Sequence, residues 1–271
     1  MKQDSIFDII IYTLFVIIVI AILLGQCDLQ AFLFIIFTVL HSIKTLKLKN
    51  ALVLIVIIFI LTFIFELSGT LGWIPGCYYE YTGAIGPYYF GKLPPLIPIA
   101  WFQYFYWAYI MTSLIIKNLR LKEKINNFLG NKHSKQTVFL GACITGLIMV
   151  SLDVFIDPVV VEMGIWNYKS PGFYYGIPIV NFIGWFVVSF LIYIIFSYYL
   201  SKFKVKTPFE KELYKSWFTI IAVLSYLVYM LYYIVIALDM NMKQVIIIPT
   251  TAMSFFIIIS IISFLNIRKK Q

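Results

Sequence analysis

The chain has 271 residues, 62% of them hydrophobic and only 12% charged, with 21 Lys and Arg against 12 Asp and Glu for a net charge of +9. A folded soluble domain is about 45–50% apolar, and so few charges cannot cover a surface that faces water. The lysines stand in short clusters between long apolar runs, so membrane topology explains the basic balance and nucleic acid does not.

Eight apolar runs follow in chain order, at 6–24, 29–45, 51–67, 96–116, 137–156, 176–200, 213–238 and 245–265. Each approaches the roughly 20 residues that span a bilayer. The first follows Lys2 and lacks a small-x-small cleavage site, so it reads as an uncleaved signal-anchor. His41 and Lys44 crowd the end of the second, which makes it the weakest. Runs such as VLIVIIFI would favour strand in water, but backbone groups in hydrocarbon must be satisfied within their own segment. The expected fold is all-α: a polytopic transmembrane helix bundle of about eight spans, forming one integral membrane domain over 1–271.

With the N-terminus inside, the inner segments carry 18 of the 21 basic residues, and the outer ones carry only Lys92, Lys169 and Lys243. Both termini are therefore expected in the cytoplasm of a multi-pass cell-membrane protein. Asp4, Asp8, Glu123, Glu210 and Glu212 stay among the inner lysines and read as solvated. Asp28, Glu66, Glu80, Asp153, Asp157, Glu162 and Asp239 fall on the outer side or at outer helix ends.

Two outer loops, 68–95 and 158–175, are rich in Tyr, Trp, Gly and Pro, which predicts turns or re-entrant stretches at the membrane surface. The hairpins that carry them look alike. Glu66 precedes YYFG and Trp101, while Asp153 precedes FYYG and Trp185. The acid-to-glycine spacing is 25 residues in one and 23 in the other, and the acid-to-tryptophan spacing is 35 and 32. This suggests a parallel repeat of two-helix units.

No GxGxxG, Walker loop, HExxH or cysteine cluster occurs. Two histidines cannot build a histidine metal centre, so no metal is expected. His133 reads as a loop residue and His41 as a helix-packing one. Cys27 and Cys77 share the outer side, which leaves a disulfide open, with free thiols the expected state. A carboxylate near hydrocarbon costs about 2.5–3.5 kcal/mol, so Glu66, Asp153 and Asp157 should face a bundle interior or cavity. Asp153 and Asp157 share a helix face, and Pro158 is expected to end that helix. The glycines of ELSGTLGW would admit a neighbouring helix or a flat ligand.

The stretches LHSIKTLKLKNAL, ELSGTLGW, YEYTG–GPYYFGKLPPLIPIAW, DVFIDP and WNY–SPGFYYGIPIVNFIGW, in order over about residues 40–190, resemble the carotenoid biosynthesis membrane-protein family. That family includes hydratases of the bisanhydrobacterioruberin and γ-carotene type. The resemblance implies cofactor-free hydration of the terminal alkene of a carotenoid or other long isoprenoid drawn from the bilayer.

Location and charge then suggest the roles. Asp153 is expected to protonate the alkene, with Glu66 or Asp157 as its ionised partner. Tyr79, Tyr81, Trp101, Trp166 and Tyr175 should line the pocket, and Asn181 should orient the water. Two rival readings are an intramembrane prenyltransferase and a non-enzymatic transporter or lipid-binding protein. The first lacks a second aspartate-rich motif, and the second lacks charges in mid-helix where an ion path needs them.

Overall fold

The computed structural model describes residues 2–129, 134–170, 172–208 and 213–270. His133 lies outside them, as do Glu210 and Glu212. Among the described residues the chain forms nine α-helices: α1 Lys2–Leu23, α2 Cys27–Leu46, α3 Leu48–Thr70, α4 Leu96–Leu119, α5 Glu123–Leu129, α6 Lys135–Glu162, α7 Ile179–Lys202, α8 Trp217–Asp239 and α9 Ile247–Lys269. All but the short α5 are long and apolar enough to cross a membrane, α2 included.

The least hydropathic of the eight is α4, with a mean hydropathy of 1.2 in its best window, yet it is buried on nearly every side. It packs against α2, α3, α6, α8 and α9. A helix wrapped by other helices meets no lipid and can carry polar and aromatic side chains that hydrogen-bond its neighbours. Tyr106 shows this. Its hydroxyl lies 2.6 Å from His41 Nδ1 and 2.6 Å from Thr45 Oγ1, tying α4 to α2. His41 Nε2 lies 2.9 Å from the Phe218 carbonyl of α8, which can only accept, so that nitrogen is the donor. His41 is the packing residue its position suggested.

The two hairpins, α3–α4 and α6–α7, lie side by side, with α3 against α7 and α4 against α6. Trp101 of α4 stacks on Trp185 of α7 at 3.9 Å between ring centroids. Their loops were expected as turns; they also pair with each other. Strand β1, Tyr79–Tyr81, runs antiparallel to β2, Trp166–Tyr168, in the register Tyr79↔Tyr168, Glu80↔Asn167 and Tyr81↔Trp166. Tyr79 and Trp166 each stand 13 residues after their acid (79 − 66, 166 − 153). Each loop then makes the same tight turn. Phe90–Gly91 and Tyr175–Gly176 both have positive φ, closed by Lys92 N–H to Tyr89 O and by Ile177 N–H to Tyr174 O, each at 2.9 Å. Glycine at the second position removes half the strain of such a turn. The paired hairpins therefore repeat in structure as well as in sequence.

Pro158 does not end α6, which runs through it to Glu162. Proline deprives the Val154 carbonyl of its helical donor. The Tyr174 hydroxyl donates to that carbonyl from the loop at 3.3 Å, so the helix continues at little cost.

Candidate active site

The cavity that Glu66 and Asp157 face lies at the loop end of the bundle. It has a volume of about 250 Å³ and is bounded by the ends of α3, α4, α6, α7 and α8, the start of α2 and both strands. Its wall is mostly apolar, so the carboxylates that reach it must be held by hydrogen bonds from the protein.

Glu66, 4% exposed, projects from the last turns of α3. It accepts three bonds: from Trp101 Nε1 at 2.8 Å, Tyr79 Oη at 2.5 Å and Tyr81 Oη at 2.9 Å. A carboxylate has about four acceptor positions, so one remains, on Oε1. Burial and then the charge of Glu66 hold both phenols well above the usual tyrosine range, so they stay donors at any physiological pH. Tyr79 reaches Glu66 by lying across Gly69. A Cβ on that glycine would sit 2.4 Å from the ring. The small residue of ELSGTLGW thus makes room for a loop tyrosine, not for a second helix.

Asp157, 1% exposed, accepts from Tyr168 Oη at 2.7 Å and from Asn181 Nδ2 at 2.6 Å. Asp153, fully buried one turn earlier on α6, accepts from the same Asn181 nitrogen at 2.9 Å. By the triangle through that nitrogen the two Oδ2 atoms are no more than 5.5 Å apart (2.9 + 2.6). Asp153 Oδ1 is buried and accepts from none of the described residues. Burial, with the charge of Asp157 next, keeps the Tyr168 phenol high and protonated.

Most of the expected pocket residues are brought together: Glu66, Asp157, Tyr79, Tyr81, Trp101, Trp166 and Asn181 all line the cavity. Two do not reach it. Asp153, one helical turn before Asp157 and bonded to the same Asn181 nitrogen, is not among the residues of the wall. Tyr175 is displaced by the positive-φ turn it occupies; it is 39% exposed and donates to the Gln244 carbonyl at 3.0 Å. Asn181 gives its amide nitrogen to the two aspartates. The structure adds Tyr168, whose signal was its spacing of 15 residues after Asp153, the spacing of Tyr81 after Glu66. It also adds Trp185, whose signal was its place in the repeat opposite Trp101, and Gln30 and the α4 and α8 tyrosines Tyr104, Tyr229 and Tyr233, for which the sequence carried no signal. Cys77 is buried and free, and the Cys27 side chain lies outside the described residues.

The sequence profile of the carotenoid biosynthesis protein family matches residues 18–261. The chain belongs to that family. A relative is bisanhydrobacterioruberin hydratase of Haloarcula japonica, 29% identical over 134 residues, which cover 49% of this chain and 40% of the relative. The aligned part thus spans less than half the length of the curated relative. No solved structure matches the family protein described here.

Proposed function

We propose that the protein is a membrane-embedded carotenoid hydratase, adding water to the terminal trisubstituted alkene of a long polyene or related isoprenoid by acid catalysis. One observation carries this reading: Asp157 and Glu66, from separate hairpins, face one apolar cavity. The loop charges favour a topology with the termini in the cytoplasm and the cavity in the outer half of the cell membrane, where a bilayer-dissolved polyene can reach it.

Asp157 delivers a proton to the less substituted alkene carbon. The π electrons form the new C–H bond and leave a tertiary cation. Water oxygen then bonds to that cation, and its surplus proton passes to the open position on Glu66. Two carboxyl groups as close as Asp153 and Asp157 hold one proton between them, by analogy with paired acids elsewhere. Asp153 is therefore the charged neighbour that keeps this proton on Asp157, a change from donor to positioning residue, and the proton taken up by Glu66 returns to Asp157 by way of water to close the cycle. The ring faces of Trp101 and Trp185 and the phenols near Glu66 contribute about 0.5–2 kcal/mol each toward the cation.

The test is conversion of lycopene in membranes of an accumulating host. Wild type is expected to yield a more polar pigment heavier by one water, unaffected by a magnesium chelator, as a prenyltransferase would not be. Asp157→Asn and Glu66→Gln should each abolish it, and Asp153→Asn should slow it. Near-normal turnover in the first two variants removes the mechanism.

A further inference from the structure

The cavity has a second polar group of residues besides the acids. Gln30, in the first turns of α2, is 3% exposed and lines the cavity, and its Oε1 accepts no hydrogen bond from the described residues. Tyr104 of α4 and Tyr229 and Tyr233 of α8 line the same cavity, and Phe34, one turn after Gln30 on α2, packs against Tyr229 with ring centroids 6.1 Å apart. The Tyr104 and Tyr229 hydroxyls are hydrogen-bonded to each other, and Tyr229 donates to Tyr233 at 3.4 Å. Tyr229 and Tyr233 are four residues apart and so share a face of α8.

Three hydroxyls in a run use two of their hydrogens on one another. One donor is left over, in a cavity whose wall also carries a carboxamide oxygen that has none. A buried acceptor in an apolar wall is normally paired, and a hydrocarbon substrate supplies nothing to pair with it. The species that suits one acceptor and one donor is water or a hydroxyl. Tyr104 is three residues after Trp101, the residue that binds Glu66. A rise of about 1.5 Å per residue therefore sets this polar group roughly 4.5 Å along α4 from the Glu66 end. Over that distance one water can hydrogen-bond to both ends, and so reach the group that takes its proton while its oxygen faces the substrate carbon.

We infer that Gln30, with the Tyr104–Tyr229–Tyr233 hydroxyl run, holds the water that captures the carbocation, and so decides whether the cation becomes an alcohol or returns to an alkene. The inference rests on the hydratase reading. Gln30 takes this role because the amide nitrogen of Asn181 is committed to the two aspartates. The step balances: water oxygen forms the C–O bond, one of its hydrogens is held by Gln30 Oε1, and the other leaves to Glu66. Without a held water, the cation loses a proton from a neighbouring carbon and an alkene is regenerated.

In deuterated water that return leaves its mark, because the carbon protonated by Asp157 keeps deuterium. The experiment is turnover of lycopene in membranes in D₂O, reading alcohol formed and deuterium in the recovered polyene. Wild type should give mostly alcohol. Gln30→Leu should raise the ratio of deuterated polyene to alcohol at least tenfold, and Tyr229→Phe should raise it less. Gln30→Glu, which keeps an acceptor oxygen, should restore a low ratio. An unchanged ratio in Gln30→Leu, whether or not total turnover falls, overturns the inference and leaves the hydratase reading intact. Loss of both products in Gln30→Leu and Tyr229→Phe alike, beside an active wild type, assigns these residues to folding and overturns it too. A wild type that forms neither alcohol nor deuterated polyene sinks the hydratase reading and this inference with it.

Discussion

Tyr79 and Tyr168 stand opposite each other in the two-stranded sheet, ring centroids 5.4 Å apart, and each gives its hydroxyl to a carboxylate on the first helix of its own hairpin. The sheet is only three residues long on each side. Its consequence is large, because it sets the lateral position of both acids from one pair of strands.

Tyr168→Phe removes one of the two donors on Asp157 while leaving the ring in place. A hydrogen bond to a charged group is worth about 1.5–3 kcal/mol, so turnover should fall roughly 10–100-fold. Thermal unfolding in detergent should move little, since the ring packing is kept. A drop in melting temperature matched by no loss of activity per folded molecule would contradict the role given to this hydroxyl.

Gly69→Ala places a methyl group 2.4 Å from the Tyr79 ring, with the backbone of α3 unable to retreat. Tyr79 must swing off Glu66, removing its 2.5 Å bond. The expected result is a loss of activity of at least tenfold with a destabilisation of about 1–3 kcal/mol, typical of overpacking. Activity and unfolding of the purified variant, read together, check it.

His41→Leu should behave in the opposite way. It removes one bond from the Tyr106 hydroxyl, which keeps Thr45, and one from the Phe218 carbonyl, a cost of about 0.5–1.5 kcal/mol for each bond lost. Since measured bonds between membrane helices average lower, the total should sit at the lower end of that range. The cavity is untouched, so turnover per folded molecule should stay near that of wild type, and a selective loss of turnover would reveal a role beyond packing.

Cys77 is buried in the first loop, and burial, followed by the charges of Asp157, Glu66 and Asp153, pushes its thiol up to about 12. Only thiolate reacts with alkylating reagents, and at pH 8 a group of that kind is thiolate in roughly one molecule in ten thousand. Maleimide should therefore label Cys77 only after denaturation. Raising the pH toward 12 in the folded state should restore labelling, whereas fast labelling at pH 8 would show that the loop does not enclose it.

The eight spans were legible because hydrocarbon thickness demands length and apolarity from each segment by itself, with no reference to a partner. For the same reason Glu66, Asp153 and Asp157 stood out, since a carboxylate at the edge of an apolar run costs energy wherever the run packs. The hairpin likeness was also visible, carried by the spacing from acid to YFG or YYG and on to Trp101 or Trp185. Only tertiary structure decided the rest. Strands 79–81 and 166–168 are separated by some 85 residues, and neither three-residue stretch has a pattern of its own. Whether α6 stops at Pro158 depended on Tyr174 reaching the Val154 carbonyl. Which aspartate meets the cavity depended on one turn of that helix. Gln30, Tyr104, Tyr229 and Tyr233 come from three different helices and lie outside every motif the sequence showed. In a membrane bundle the apolar pattern marks which segments are buried in lipid or protein, but it is nearly the same on every face. The choice of which faces meet falls to close packing and hydrogen bonds between side chains far apart in the chain.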